Sequence, residues 1–141
     1  MPLASFYELP ATFMTPQEQL RGICRVAAKV WQVVGEADIL CVDQEAAQQM
    51  DDMLWTFQAG AFVPHGLSNQ EAVRIHTVQS CPESCNVLIL CGLWNLPSPL
   101  PSCARLVDFI PAEVSAKESA RTRYKQLKKI GYTLQVHSLE A

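Results

Sequence analysis

Asn86–Gly92 reads NVLILCG, an uninterrupted apolar run between an asparagine and a glycine. A strand wetted on one side alternates polar and apolar residues. This one is apolar on both faces, as in the centre of a sheet covered on both sides. Such a strand needs neighbours, and the chain offers them. LASFYEL (Leu3–Leu9), ADILCV (Ala37–Val42), AVRIHTV (Ala72–Val78) and ARLVDFI (Ala104–Ile110) are all short strand candidates, and ADILCV is β-branched in part and free of internal charge but for Asp38. The first is closed by Pro10 and the last by Pro111. YTLQVHSL (Tyr132–Leu139) reads as a final strand or an extended tail.

Helical periods lie between these runs. Thr15-Pro16-Gln17-Glu18 predicts a helix start, with Thr15 as N-cap, Pro16 in the first turn and Glu18 closing a capping box. The helix is expected to reach Gly35. Leu20, Ile23, Cys24, Ala27, Val30, Trp31 and Val34 recur at spacings of three and four and line one face for burial. Asp43 caps a second helix over QEAAQQMDDMLW, with Ala46, Ala47, Met50, Met53 and Leu54 as its stripe. The proline-rich LPSPLPS (Leu96–Ser102) is a loop. Ser115 and Glu118 form a second capping box, opening a helix that stops at Gly131 with Lys128 and Lys129 in its last turn. Strands alternating with helices predict a single α/β domain over residues 1–141 with a largely parallel sheet.

Composition agrees with one globular domain. The 141 residues are 49% hydrophobic and 18% charged, enough for a core without disulfides or a structural metal. No apolar run approaches the roughly 18 to 20 residues of a membrane span. The N-terminal MPLASFYELP has neither a basic region nor a long apolar stretch, so no secretory signal is read there and a cytoplasmic protein is expected. The six cysteines, Cys24, Cys41, Cys81, Cys85, Cys91 and Cys103, are read as reduced thiols, with Cys24, Cys41 and Cys91 in apolar segments acting as small hydrophobes. Cys81 and Cys85 have C-x3-C spacing. A second ligand pair is missing, so no metal is expected.

Familiar catalytic patterns are also missing. There is no G-x-G-x-x-G and no G-x-x-x-x-G-K-[ST], and ELPATFMTP occupies the first strand-to-helix turn. No nucleotide cofactor is therefore expected. Tyr124 and Lys128 have Y-x-x-x-K spacing but no cofactor loop supports them. His65, His76 and His137 have no nucleophile elbow beside them, and the adjacent Asp51 and Asp52 point to different sides of a helix. Nothing reads as an enzyme.

Two surfaces remain. The chain has a formal net charge of -3, yet six of its eleven Lys and Arg fall between Lys117 and Lys129. Lys117, Arg121, Tyr124 and Lys128 share one helical face, while Ala116, Ala120, Leu127 and Ile130 can face the core. That stripe is either a solvated helix surface or a site for a ligand that combines negative charge with an apolar group. The second surface is LWTFQAGAFVPHGL, where Trp55, Phe57, Phe62 and Val63 crowd around Gly60 and Pro64. They are either core aromatics capping the sheet or an exposed docking patch.

FYELP near the start, C-x-D with MDDMLWTF and FVPHGL in the middle, VLIL, and VDFIPAE with ARTRYKQLKKIGYTLQVHSL at the end together resemble the chi subunit family of bacterial DNA polymerase III. The motifs occur in the family's order across nearly the whole chain. Gly66–Asn86 departs from the pattern, being short and cysteine-bearing where a glycine-rich loop is expected. The resemblance implies a Rossmann-like three-layer fold without a nucleotide-binding loop, serving as a non-enzymatic replication adaptor. It implies two partners: the psi subunit of the clamp-loader complex, and the acidic C-terminal tail of single-stranded-DNA-binding protein, which ends in a phenylalanine carboxylate. By position, Arg121 would pair with a tail carboxylate, Lys117 and Lys128 would add charge, and Ile110 and Tyr124 would receive the phenylalanine ring. Trp55, Phe62 and Val63 would meet psi or a helicase partner. DNA would be reached only indirectly. The rival reading is direct single-stranded nucleic-acid binding by the basic helix, with Tyr124 stacking on a base.

Overall fold

Val87–Cys91 lies buried in the middle strand of a seven-stranded sheet, so neither of its faces meets water. A computed structural model of the chain describes residues 2–67 and 70–140. The elements run β1 (Leu3–Glu8), α1 (Pro16–Val34), β2 (Ala37–Cys41), α2 (Gln44–Thr56), β3 (His65–Gly66), β4 (Val73–Thr77), β5 (Ser84–Cys91), β6 (Ser102–Ile110), α3 (Val114–Lys129) and β7 (Thr133–Ser138). The sheet order is β3-β4-β2-β5-β6-β1-β7, and every pairing among the described residues is parallel. This is a single Rossmann-like three-layer α/β fold.

Strand alternation divides the core in two. Val87, Ile89, Cys91, Val107 and Phe109 face the side covered by α1 and α2. Leu88, Leu90, Leu106 and Phe6 face the other side, which is covered by Leu127 of α3 and by Leu93, Leu96 and Leu100 of the β5–β6 connection. That connection is proline-rich and carries no helix, yet it joins two parallel neighbours. Its leucines cover the sheet where a crossover helix usually would.

Local chemistry sets the helix ends. Thr15 Oγ1 accepts the Glu18 N–H at 3.1 Å and Glu18 Oε1 accepts the Thr15 N–H at 3.1 Å, completing the capping box. Gly35 ends α1 at φ 93°, a left-handed conformation that disfavours a side chain. Asp43 Oδ1 accepts the Ala46 N–H at 2.8 Å and starts α2.

Three expectations change. The N-cap of α3 is Glu113 rather than Ser115: its two carboxylate oxygens accept the Ser115 and Ala116 N–H groups at 3.1 and 2.9 Å. One bidentate carboxylate satisfies two orphan donors at once, which sets the start of the helix at Val114. Ile130 does not face the core. It is 60% exposed, because α3 ends at Lys129 and the chain turns away through Gly131 at φ 106°. The short strand β3, within the segment read as a turn around Pro64, pairs His65 with Val73 at the sheet edge.

Candidate functional site

β1 leaves the sheet into α1 on one face, and its neighbour β6 leaves into α3 on the opposite face. A cleft of about 360 Å³ opens between them at the carboxyl ends of the strands, with walls that include Leu9, Ile23, Trp94 and Phe109. In α/β folds of this kind a ligand's phosphate commonly rests there on a helix N-terminus. Here carboxylates occupy both helix starts, Glu18 at α1 and Glu113 at α3. The cation bordering the cleft, Arg123, is already engaged. Its Nε donates to Asp108 Oδ2 at 2.6 Å and its Nη2 to Asp108 Oδ1 at 3.2 Å. Its Nη1 donates to the Leu93 carbonyl at 2.6 Å and to Ser119 Oγ at 3.0 Å. Of the two helix-start acids only Glu113 lines the cleft, beside Asp108, and the guanidinium there is already engaged.

Asp108 and Arg123 are both buried. Burial pushes the Asp108 carboxyl above its usual range, against the downward pull of the Arg123 hydrogen bonds. Sequence reasoning counted Arg123 among the surface cations and missed the pair. Asp108 inside the otherwise apolar β6 was the available signal, since a charge in a covered strand calls for a partner.

The outer side of α3 differs. Arg121 and Lys128 are exposed, and Lys117 and Tyr124 are half-buried. Among the described residues no ion pair engages Lys117, Arg121, Lys125, Lys128 or Lys129. Tyr124 rests edge-on against Phe6, with ring centroids 5.3 Å apart, and borders the same apolar cluster as Ile110. Ile110, the last residue of β6, is likewise half-buried. Cations without an ion pair among the described residues thus share α3 with Tyr124, which borders a partly open apolar cluster. Neither Tyr124 nor Lys128 lines the cleft, so the Y-x-x-x-K pair does not face the end of the sheet where a dinucleotide would lie.

The aromatic segment divides between its two readings. Phe57 and Val63 are buried in the core beside α2, Val63 being only 2% exposed. Trp55 and Phe62 are 58% and 64% exposed, with ring centroids 6.3 Å apart. His65 holds this turn from beneath: its Nδ1 lies 2.6 Å from the Val63 carbonyl and its Nε2 3.1 Å from the Asp51 carbonyl. The Trp55 ring stands edge-on to the imidazole at 4.7 Å. Trp55 and Phe62 therefore form an exposed apolar pair propped by His65, while the adjacent Val63 belongs to the core. Ser68 and Asn69, in the segment that departs from the family pattern, lie outside the described residues.

His76 belongs to a polar network at the start of β2 and β4. Arg74 donates to both Asp38 oxygens at 2.9 Å and to Glu36 at 2.7 Å, and His76 Nε2 lies 2.7 Å from Asp38 Oδ1. Burial alone would raise the Asp38 carboxyl, but the hydrogen bonds and charge of Arg74 and His76 hold it at about 2. This network braces the sheet edge.

Fold and surface together define a class: a Rossmann-like α/β domain with carboxylates at the two helix starts beside its strand-end cleft, and with exposed cations on the outside of one helix and exposed aromatics on one turn. Residues 1–135 match the family model described as DNA polymerase III chi subunit, HolC, and the chain belongs to that family. It is 28% identical to the DNA polymerase III subunit chi of Pseudomonas aeruginosa over 141 residues, covering 99% of this chain and 98% of the relative. The subunit chi of Escherichia coli is 31% identical over 122 residues, covering 83% and 82%. That of Haemophilus influenzae is 29% identical over 141 residues, covering 96% of each. Among the described residues no helix is long and apolar enough to cross a membrane.

Proposed function

We propose that this chi-family chain is a non-catalytic adaptor of the bacterial DNA polymerase III holoenzyme, joining psi of the clamp loader to the acidic C-terminal tail of single-stranded-DNA-binding protein. The observation that carries the reading is the outer face of α3, where cations without an ion pair among the described residues share the helix with the half-buried Tyr124, which borders the same apolar cluster as Ile110. A planar guanidinium such as Arg121 takes a carboxylate through two parallel hydrogen bonds. Ile110 and Tyr124 offer the terminal phenylalanine ring an apolar seat. Lys117 and Lys128 raise the encounter rate at low salt, so binding is salt-sensitive. The propped pair of Trp55 and Phe62 supports the second contact, with psi or a helicase. Exposed aromatics of this kind are frequent anchors of protein interfaces.

Titration calorimetry with a tail peptide ending in phenylalanine tests the first contact. Binding that weakens with salt, and is lost when the terminal carboxylate is amidated, is the expected result. The rival is direct binding of single-stranded DNA by α3. Beyond residues 117–129 the chain carries five cations against thirteen acids, which opposes a long phosphate track. Tight retardation of an oligonucleotide by the purified chain alone, with no response to the peptide, would replace the adaptor reading. A cytoplasmic location follows from the replication role.

A further inference from the structure

Two pairs of cysteines face each other across neighbouring strands. Cys41 and Cys91 are register partners on β2 and β5, and Cys85 and Cys103 are register partners on β5 and β6. The first pair is buried in the core beneath α1 and α2. A hydrogen bond with Cys91, then burial, pushes the Cys41 thiol far above its usual range, which makes it inert. The second pair lies at the start of its strands, on the opposite face, and both members are half-buried.

Three further features surround that second pair. The Cys103 Sγ lies 3.6 Å from the Tyr132 hydroxyl. Cys81 borders the same apolar cluster, and it lines a cleft of about 680 Å³ with Pro82, Leu100 and Pro101. Asp38, from β2, is near enough to act electrostatically on Cys85. Neighbouring strands run about 4.8 Å apart, within the Cα separation that a disulfide spans.

We propose that Cys103 and Cys85 form a peroxide-oxidisable dithiol, with Cys103 as the attacking thiolate and Cys85 as the resolving thiol. In the first step the Cys103 sulfur attacks one oxygen of a hydroperoxide. The O–O bond breaks, the sulfur loses two electrons to become a sulfenic acid, and the other oxygen leaves as hydroxide, or as alkoxide from an organic peroxide, and takes up a proton. In the second step the Cys85 sulfur attacks the Cys103 sulfur. The S–O bond breaks, an S–S bond forms, and the hydroxyl leaves with the Cys85 proton as water. With hydrogen peroxide the sum is two thiols and one peroxide giving one disulfide and two waters.

The order of roles follows from the partners. Hydrogen bonds from Cys85 and from Tyr132 favour the thiolate at Cys103 and, against burial, bring it down to about 7. Cys85 is raised, first by donating to Cys103 and then by burial, so it keeps its proton until the second step. Tyr132 reaches Cys103 and not Cys85, which breaks the symmetry between them. A disulfide joining directly opposed residues of adjacent strands carries strain, and strained disulfides are readily reduced. The product should therefore revert with dithiothreitol.

The experiment treats the reduced full-length protein with hydrogen peroxide, blocks remaining thiols, and maps the peptides by mass spectrometry. The expected result is loss of two alkylatable thiols and a cross-linked peptide pair containing Cys85 and Cys103. Cys85→Ser should accumulate a sulfenic acid at Cys103 that a dione reagent traps, whereas Cys103→Ser should form neither product. At neutral pH, Cys103 should alkylate at least roughly tenfold faster than Cys81, whose thiol burial pushes up from its ordinary value. Tyr132→Phe should shift the midpoint of that alkylation to higher pH. Circular dichroism checks that each variant remains folded. Unchanged thiol content, a bond between other cysteines, or a link between two chains would overturn the proposal.

Discussion

Arg121 and Arg123 are separated by one residue on α3 and do opposite work. With 3.6 residues per turn, positions i and i+2 project to nearly opposite sides of a helix. Arg123, between Ala120 and Leu127 on the buried side, spends its hydrogen bonds on Asp108 and on carbonyls of the β5–β6 connection. Arg121 stands outside without an ion pair among the described residues. The inner arginine fixes the helix on the sheet, which gives the outer one a rigid base for the ligand contact proposed above. Identical side chains are thus divided between a buried ion pair and an exposed surface by helical phase alone.

The largest expected effect breaks the inner half of this comparison. Arg123→Ala leaves Asp108 buried and unpaired, and should cost roughly 3 to 5 kcal/mol in urea or thermal denaturation. Replacing the two together, Arg123→Met with Asp108→Leu, should recover most of that loss, because no uncompensated charge remains. A single variant as stable as the parent would show that the pair does not anchor α3.

Arg121→Ala tests the outer half. Its stability should stay within about 0.5 kcal/mol of the parent, as for an exposed substitution. Its affinity for the acidic tail peptide should fall by about 2 kcal/mol, roughly thirtyfold, by calorimetry. Unchanged affinity would remove Arg121 from the proposed site.

Asp38 extends the contrast to a second internal ion network. Its carboxyl is held at about 2, below its ordinary 3.8. A depressed carboxylate stabilises fully above the ordinary value and loses its contribution as pH falls through the folded one. Urea denaturation should therefore show a loss of roughly 2 kcal/mol between about pH 5 and pH 2. Asp38→Asn should flatten that decline, while Arg121→Ala should leave it intact.

Effects on stability should also be small at the aromatic turn. Trp55→Ala and Phe62→Ala remove exposed rings and should cost less than about 1 kcal/mol each. Both should reduce co-purification with psi and leave tail binding unchanged. Loss of both partners together would indicate damage to the fold rather than two separate surfaces.

Much of the fold was legible in short stretches. NVLILCG placed a doubly covered strand, Thr15 with Glu18 and Asp43 placed two helix starts, and Gly35 and Gly131 placed two ends. Each of these depends on residues within a few positions of one another. The start of α3 was read two residues late because Ser115 and Glu118 fit a capping box in the sequence, whereas Glu113 caps with two oxygens at once. The site was legible in part. The outer stripe follows from spacing, but the apolar positions of α3 allowed more than one rotation about its axis. The observed rotation buries Arg123, and Ile130, seven residues on and in the same helical phase, is exposed because the helix ends before it. Exposure of the aromatics was not legible, because Trp55, Phe57, Phe62 and Val63 have similar hydrophobicity and differ only in what lies above them.

By itself the sequence determined the alternation of elements, the caps, and the concentration of cations near the C-terminal end, because periodicity and capping are local interactions. Only the tertiary structure decided the strand order, the meeting of Asp108 with Arg123, and the opposition of Cys85 with Cys103. These contacts join residues distant in the chain. Their geometry is set by how the whole parallel sheet registers and how its two faces are covered.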